Sequence, residues 1–176
     1  MSTRYQLHVP ADILAAMLEH SRAELPNECC GLLAGRVADG VGVVTKRLPL
    51  VNSAASPTEY WSEPRSMLQA EKTMRAEQLD LLAVYHSHPT SPPIPSRTDL
   101  ARNFYGESVQ HLIISLEKPQ GEVRAWRLRE DGYDEVILNV VDADESRMSR
   151  NRELATEMEN GKDNRGIENG EPRTEN

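Results

Sequence analysis

The chain of 176 residues has only two cysteines, Cys29 and Cys30, and they are adjacent. Neighbouring cysteines do not readily reach relaxed disulfide geometry. No disulfide framework is expected, and a reducing, cytoplasmic setting is. Long apolar runs are missing too. No stretch approaches the ~20 apolar residues that span a bilayer. The opening "MSTRYQLHVPADIL" lacks the apolar segment of a secretory signal after its basic residue. Positive charge is in deficit: 20 Lys and Arg against 28 Asp and Glu give a formal net charge of −8, with a pI near 5.2. Nucleic acid and anionic membrane draw affinity from basic patches, so neither is an expected partner. A protein partner with a basic surface remains compatible with this charge.

What is present suffices for one domain and a tail. Hydrophobic residues make up 38% and charged residues 27%. "YQLHV" alternates and predicts a short strand. Ile13, Leu14, Met17 and Leu18 recur at helical spacing between Pro10 and Pro26, which predicts an amphipathic helix. "CCGLLAG" reads as a buried strand, and the Asp-Gly pair of "VADGVGVV" turns it into a second strand over Val41–Leu48. "VNSAASPTEYW" has the composition of a loop. Met67, Ala70 and Met74 follow Pro64 at helical spacing and predict a second helix. "LLAVYHSH" is a strand, "SRTDLARNFY" a short helix, and "QHLIISL", "GEVRAWRLR" and "DEVILNVV" are three more strands. The order β-α-β-β-α-β-α-β-β-β predicts an α/β domain over residues 1–141 with a mixed sheet flanked by helices. Residues 142–176 are polar, have no sustained apolar face, and are expected to be a largely disordered tail.

The chemistry concentrates in "YHSHPTSPPIPSRTDL". Alternate side chains of a strand share a face, so His86 and His88 can converge just beyond Leu82 and Val84. Imidazole nitrogen suits zinc, and a carboxylate can add a third bond. Asp99 stands in the first turn of the next helix, behind a loop stiffened by Pro89, Pro92, Pro93 and Pro95. Three protein ligands leave one position open, as in catalytic rather than structural zinc sites. Ser96 and Asp99 alone fit a plain helix cap equally well. The two readings are compatible, because a cap also orients Asp99.

His86-Ser87-His88, seven residues, Ser96, two residues and Asp99 resemble the JAMM motif of the MPN-domain metallopeptidases. "PNECCGLLAG" matches the family's upstream Pro-x-Glu-x-Cys-Gly-like segment through Pro26, Glu28, Cys30 and Gly31. The chain is most similar to the small stand-alone prokaryotic members, among them sulfur-carrier-protein–cysteine peptidases and desampylases. The resemblance implies a single MPN domain with cytidine-deaminase-like layering. It implies one Zn2+ per chain on His86, His88 and Asp99. Glu28 would be the general base and Ser96 the donor to the oxyanion. It further implies hydrolysis of a peptide or isopeptide bond after the C-terminal Gly-Gly of a ubiquitin-like or sulfur-carrier protein. The "PTEYWSEP" segment and the second helix are expected to form one wall of the groove for that tail. Cys30 is assigned to packing, and His20 and His111 to structure. Two alternatives are a non-catalytic MPN scaffold, against which the full motif argues, and a RadC-like zinc hydrolase associated with DNA, against which the acidic charge argues. The Pro-Cys-x-x-Cys of zinc deaminases is absent from the sequence.

Overall fold

Pro10 both ends the first strand and opens the first helix. In the computed structural model, which describes residues 5–142, β1 (Gln6–Pro10) runs directly into α1 (Ala11–Ala23). A proline is harmless there, because the first N–H groups of a helix lack intrahelical partners. Met17 is fully buried, and Ile13, Leu14 and Leu18 pack beside it on Leu7, Val9, Leu33, Val44, Tyr85, Leu112 and Ile114. β2 (Cys30–Ala38) and β3 (Val41–Leu50) form the expected hairpin. Asp39 and Gly40 both have positive φ, at 50° and 78°, as a tight two-residue hairpin turn requires. α2 (Pro64–Ala76) starts where the Glu63 carboxylate accepts the Ser66 N–H at 2.6 Å. Then follow β4 (Asp80–His88), α3 (Arg97–Ala101), β5 (Gln110–Ser115), β6 (Glu122–Arg129) and β7 (Gly132–Val141).

The strand order is β1-β3-β2-β4-β5-β6-β7, and β1 also pairs with β7, so the sheet closes. It is mixed: β1–β3, β1–β7 and β4–β5 are parallel, the other pairs antiparallel. α1 covers one face. On the other, Ala70, Met67 and Met74 of α2 pack on Cys30, Leu32, Leu50 and Val84, and Leu100 of α3 packs against Ile113, Trp126 and Leu128. The predicted α/β architecture of a mixed sheet with flanking helices is therefore observed, with closure added. The tail expected over 142–176 lies, from residue 143 on, outside the described residues.

Two local details differ from the sequence reading. Strict alternation would put Leu82 with Val84 and Leu81 with Tyr85. Instead Leu82 packs in the cluster with Ala83 and Tyr85, and Leu81 beside Val84. Leu33 pairs with Ala83 but Ala34 with Leu81, which leaves Leu82 as the extra residue of a bulge. Alternation is regular beyond it, through both histidines. The third helix stops at Ala101 instead of running on to Tyr105. Asn103 ends it: its Oδ1 accepts the Tyr105 N–H at 3.3 Å, a side-chain turn that competes with helix.

Candidate metal centre

β4 delivers His86 and His88 to one face at its C-terminal end, both buried. Their Nε2 atoms are 3.1 Å apart. Asp99 closes the group, with Oδ1 3.2 Å from His86 Nε2 and Oδ2 3.6 Å from His88 Nε2. These three ligand atoms all lie within 4.8 Å of one another, and they are the only such group among the described residues. Nitrogen and oxygen ligands bind zinc at about 2.0–2.1 Å, which sets the edges of a tetrahedron at roughly 3.3–3.4 Å. The observed separations bracket that value.

Donor chemistry supports the fit. His88 Nδ1 lies 2.8 Å from the Pro92 carbonyl, which can only accept. Nδ1 therefore carries the proton, and in the neutral ring Nε2 presents a lone pair inward. With both rings unprotonated at Nε2, the two imidazole nitrogens and the carboxylate form a set of acceptors that a cation satisfies; without one, the rings can instead donate to Asp99. His86 lacks an outer partner of this kind, as its Nδ1 is buried without one. Its ring is held by stacking instead, on Tyr60, with centroids 4.8 Å apart and planes at 27°. Burial alone would raise the Asp99 pKa. Hydrogen bonds from His86, His88 and Ser96 outweigh it and hold the carboxyl far below the usual carboxylate range.

The capping reading is observed, and it leaves Asp99 facing the histidines. Ser96 Oγ accepts the Asp99 N–H at 3.1 Å, and Asp99 Oδ2 accepts the Ser96 N–H at 2.6 Å. This is a full capping box. Asp99 thus spends one oxygen on its helix and turns the other to His86. Because Ser96 Oγ is the acceptor in that bond, its own proton stays available to donate.

The prolines have a physical reason as well. The carbonyls of Ser91, Pro92 and Pro93 accept from Ser115 Oγ at 2.7 Å, His88 Nδ1 at 2.8 Å and Trp126 Nε1 at 2.8 Å. Pro89, Pro93 and Pro95 are buried. At those three buried positions a proline leaves no N–H to orphan.

Glu28 reaches the site from the segment just before β2. Cys30 pairs with His86 in antiparallel register, and the Ser87 N–H donates to the Cys29 carbonyl at 3.1 Å, which sets Glu28 beside His88. The side chain is 4% exposed. Burial, with the nearby charges of Asp99 and Glu59, pushes its pKa up to about 7 against the opposing charge of His88. Its backbone is fixed on both sides: the N–H donates to the Ser56 carbonyl at 2.9 Å, and the carbonyl accepts from Asn52 Nδ2 at 2.9 Å. Neither cysteine is a nucleophile candidate, since burial raises the Cys29 thiol to about 11 and the Cys30 thiol to about 12. His20 and His111 are structural as expected, on Tyr85 OH at 2.9 Å and Asn103 Oδ1 at 3.2 Å.

A cleft of about 140 Å³ opens next to Asp99. Glu59, Tyr60, Trp61 and Ser62 form one wall, as expected of the "PTEYWSEP" segment. α2, expected on the same wall, adds no residue to it, because it packs on β2, β3 and β4. The facing wall is α3 and its continuation, through Thr98, Arg102, Phe104 and Tyr105. Asn52 and Arg102 were not singled out from the sequence, and no local pattern marks them.

The sequence model describing prokaryotic homologs of the JAB domain matches residues 10–129, and the chain belongs to that family. Its similar proteins include the CysO-cysteine peptidase of Mycobacterium tuberculosis, 30% identical over 140 residues that cover 80% of this chain and 94% of that one. The desampylase of Haloferax volcanii is 32% identical over 143 residues, covering 78% and 99%. A solution structure of a protein from Desulfitobacterium hafniense superposes with a TM-score of 0.72 at 35% identity, covering 78% and 94%. These two relatives are named as a peptidase and a desampylase.

Proposed function

We propose that this protein is a zinc-dependent peptidase or isopeptidase that cuts after the C-terminal Gly-Gly of a ubiquitin-like or sulfur-carrier protein. One observation carries the reading: a buried, elevated-pKa carboxyl, Glu28, stands beside a three-ligand cluster whose Asp99 lines a cleft. The names of the relatives support the substrate class. His86, His88 and Asp99 hold the metal. Zinc bound there supplies Lewis acidity toward water and the scissile carbonyl. Glu28 takes a proton from the attacking water on its carboxylate and passes it to the leaving nitrogen. Ser96 turns its free hydroxyl proton toward the oxygen on which charge develops. The C–N bond breaks, the glycine keeps the water's oxygen as a carboxylate, and the amine leaves protonated. A thin, extended Gly-Gly tail suits a narrow cleft beside a strand.

Metal analysis should give about one zinc per chain. Glu28→Gln should keep that zinc and lose hydrolysis of a Gly-Gly-linked probe. A metal-free protein after zinc loading, or a fully active Glu28→Gln variant, would remove the mechanism.

A further inference from the structure

Two ring nitrogens near the metal centre are buried without a partner, His86 Nδ1 and His111 Nδ1. Their residues are 0% and 3% exposed, and a buried polar group left unbonded is costly. The two histidines stand on neighbouring parallel strands. Val84 of β4 lies opposite His111 of β5, and His86 opposite Ile113. Alternate residues of a strand share a face, so His86 and His111 are diagonal neighbours on one face. Diagonal neighbours in a sheet are about 7–8 Å apart, within reach of ring side chains. Gln110 Oε1 is another buried acceptor without a partner, but it belongs to the adjacent residue of β5 and so to the opposite face.

The proton of each ring can be assigned. Asn103 Nδ2 donates to the Gly106 carbonyl at 3.4 Å and the Leu128 carbonyl at 3.5 Å. Its Oδ1 accepts the Tyr105 N–H at 3.3 Å. Three backbone groups thus fix the orientation of the amide, and it is Oδ1 that His111 Nε2 meets at 3.2 Å. An amide oxygen only accepts, so Nε2 carries the His111 proton. Burial, then the charge of His86, lowers the His111 pKa to about 4. The ring is therefore neutral at pH 7, and its Nδ1 is a bare lone pair. His86 is the converse. With Nε2 turned to a metal, its proton is on Nδ1, which can only donate. A donor without an acceptor stands diagonally across from an acceptor without a donor. On the metal reading above, on which this rests, we infer that His111 is a positioning residue for His86, its Nδ1 accepting the His86 Nδ1–H directly or through one bridging water. Buried waters commonly join polar groups that would otherwise go unbonded. The bond does for His86 what the Pro92 carbonyl does for His88. It fixes the tautomer and makes Nε2 a more basic ligand. It also ties Asn103, just past the helix that carries Asp99, to the strand that carries the histidines.

Three measurements on the full chain test this: zinc affinity by chelator competition, stability by denaturant titration, and ring tautomers by nitrogen NMR. Wild-type His111 should be protonated at Nε2 with and without zinc. Protonation at Nδ1 overturns the inference without any variant. His111→Gln keeps an amide N–H within reach of Asn103 and loses the Nδ1 acceptor. It should hold near-wild-type stability at neutral pH and bind zinc roughly 10–100-fold more weakly, the usual cost of losing a ligand's outer partner. His111→Asn sets an amide oxygen near the place of Nδ1 but is too short for Asn103. It should lose stability and keep zinc affinity within a few-fold of wild type. A purely structural His111 would give the reverse order. Equal zinc affinity in all three proteins, or affinity that simply follows stability, overturns the inference while leaving the metal reading intact. A wild type that takes up no zinc sinks the metal reading, and this inference with it.

Discussion

Asn52 uses its whole side-chain amide. Nδ2 donates to the Glu28 carbonyl at 2.9 Å and the Glu59 carbonyl at 3.2 Å, while Oδ1 accepts from the Ala54 and Trp61 N–H groups at 3.0 Å each. One residue thereby ties the base-bearing turn to a wall of the cleft. Asn52→Asp keeps the acceptor and removes both donations at almost constant shape. It should leave zinc content intact and lower kcat by about tenfold or more, since small displacements of a catalytic group are expensive. Unchanged kcat would show that Glu28 is held by its other backbone contacts alone. His111 makes a different prediction. Burial, then the charge of His86, lowers its pKa to about 4, below the ~6.5 of an unfolded chain. The unfolded state therefore binds the extra proton first. The His111 contribution is complete above about pH 6.5 and is lost as pH falls through about 4, at most roughly 3 kcal/mol. Denaturant titrations should show His111→Gln losing less stability than wild type across that window, and parallel curves would refute the assignment.

At the scale of elements, α3 is short, and its start is where cap and metal site share atoms. Ser96→Ala should destabilise by about 1 kcal/mol, whereas Ser96→Gly, a tolerable cap, should cost only a few tenths. Both should lower kcat by roughly 100–1000-fold if the hydroxyl serves the oxyanion. Near-normal turnover by Ser96→Gly would return Ser96 to capping alone. Most elements were legible in the sequence because their signals are local. The Pro10 boundary, the Asp39-Gly40 turn and the Pro64 start each act within a few residues, and the spacing from His86 to Asp99 marked the site directly. The Leu82 bulge was not legible, because it depends on where β2 pairs. Nor was the second cleft wall, since which helix is free to face the site depends on which one the sheet already uses. Glu59 and Arg102 are ordinary charges in sequence, 43 residues apart, and only their 2.8 Å contact distinguishes them.

For the whole molecule, closure of the sheet was the largest feature hidden from the sequence. β1 must choose partners in β3 and β7, some 35 and 130 residues away in sequence, and period-2 patterning carries no information about partner choice. Residues 5–142 carry the closed sheet, its three helices and the core clusters described above, so a chain ending at Asp142 should remain folded, with a melting temperature within a few degrees of the full chain. A large drop would show that the remaining 34 residues contribute to the fold. β1 and β7 run parallel, with Gln6 opposite Ile137 and Pro10 opposite Val141. A pull on the two ends of the chain therefore drags these strands past each other lengthwise, and loads every hydrogen bond between them at once instead of one at a time. The domain should resist mechanical extension from its termini far better than it resists peeling at an interior hairpin such as β6–β7. A processive unfolding machine that seized the chain beyond Val141 would meet that clamp before it reached the metal ligands.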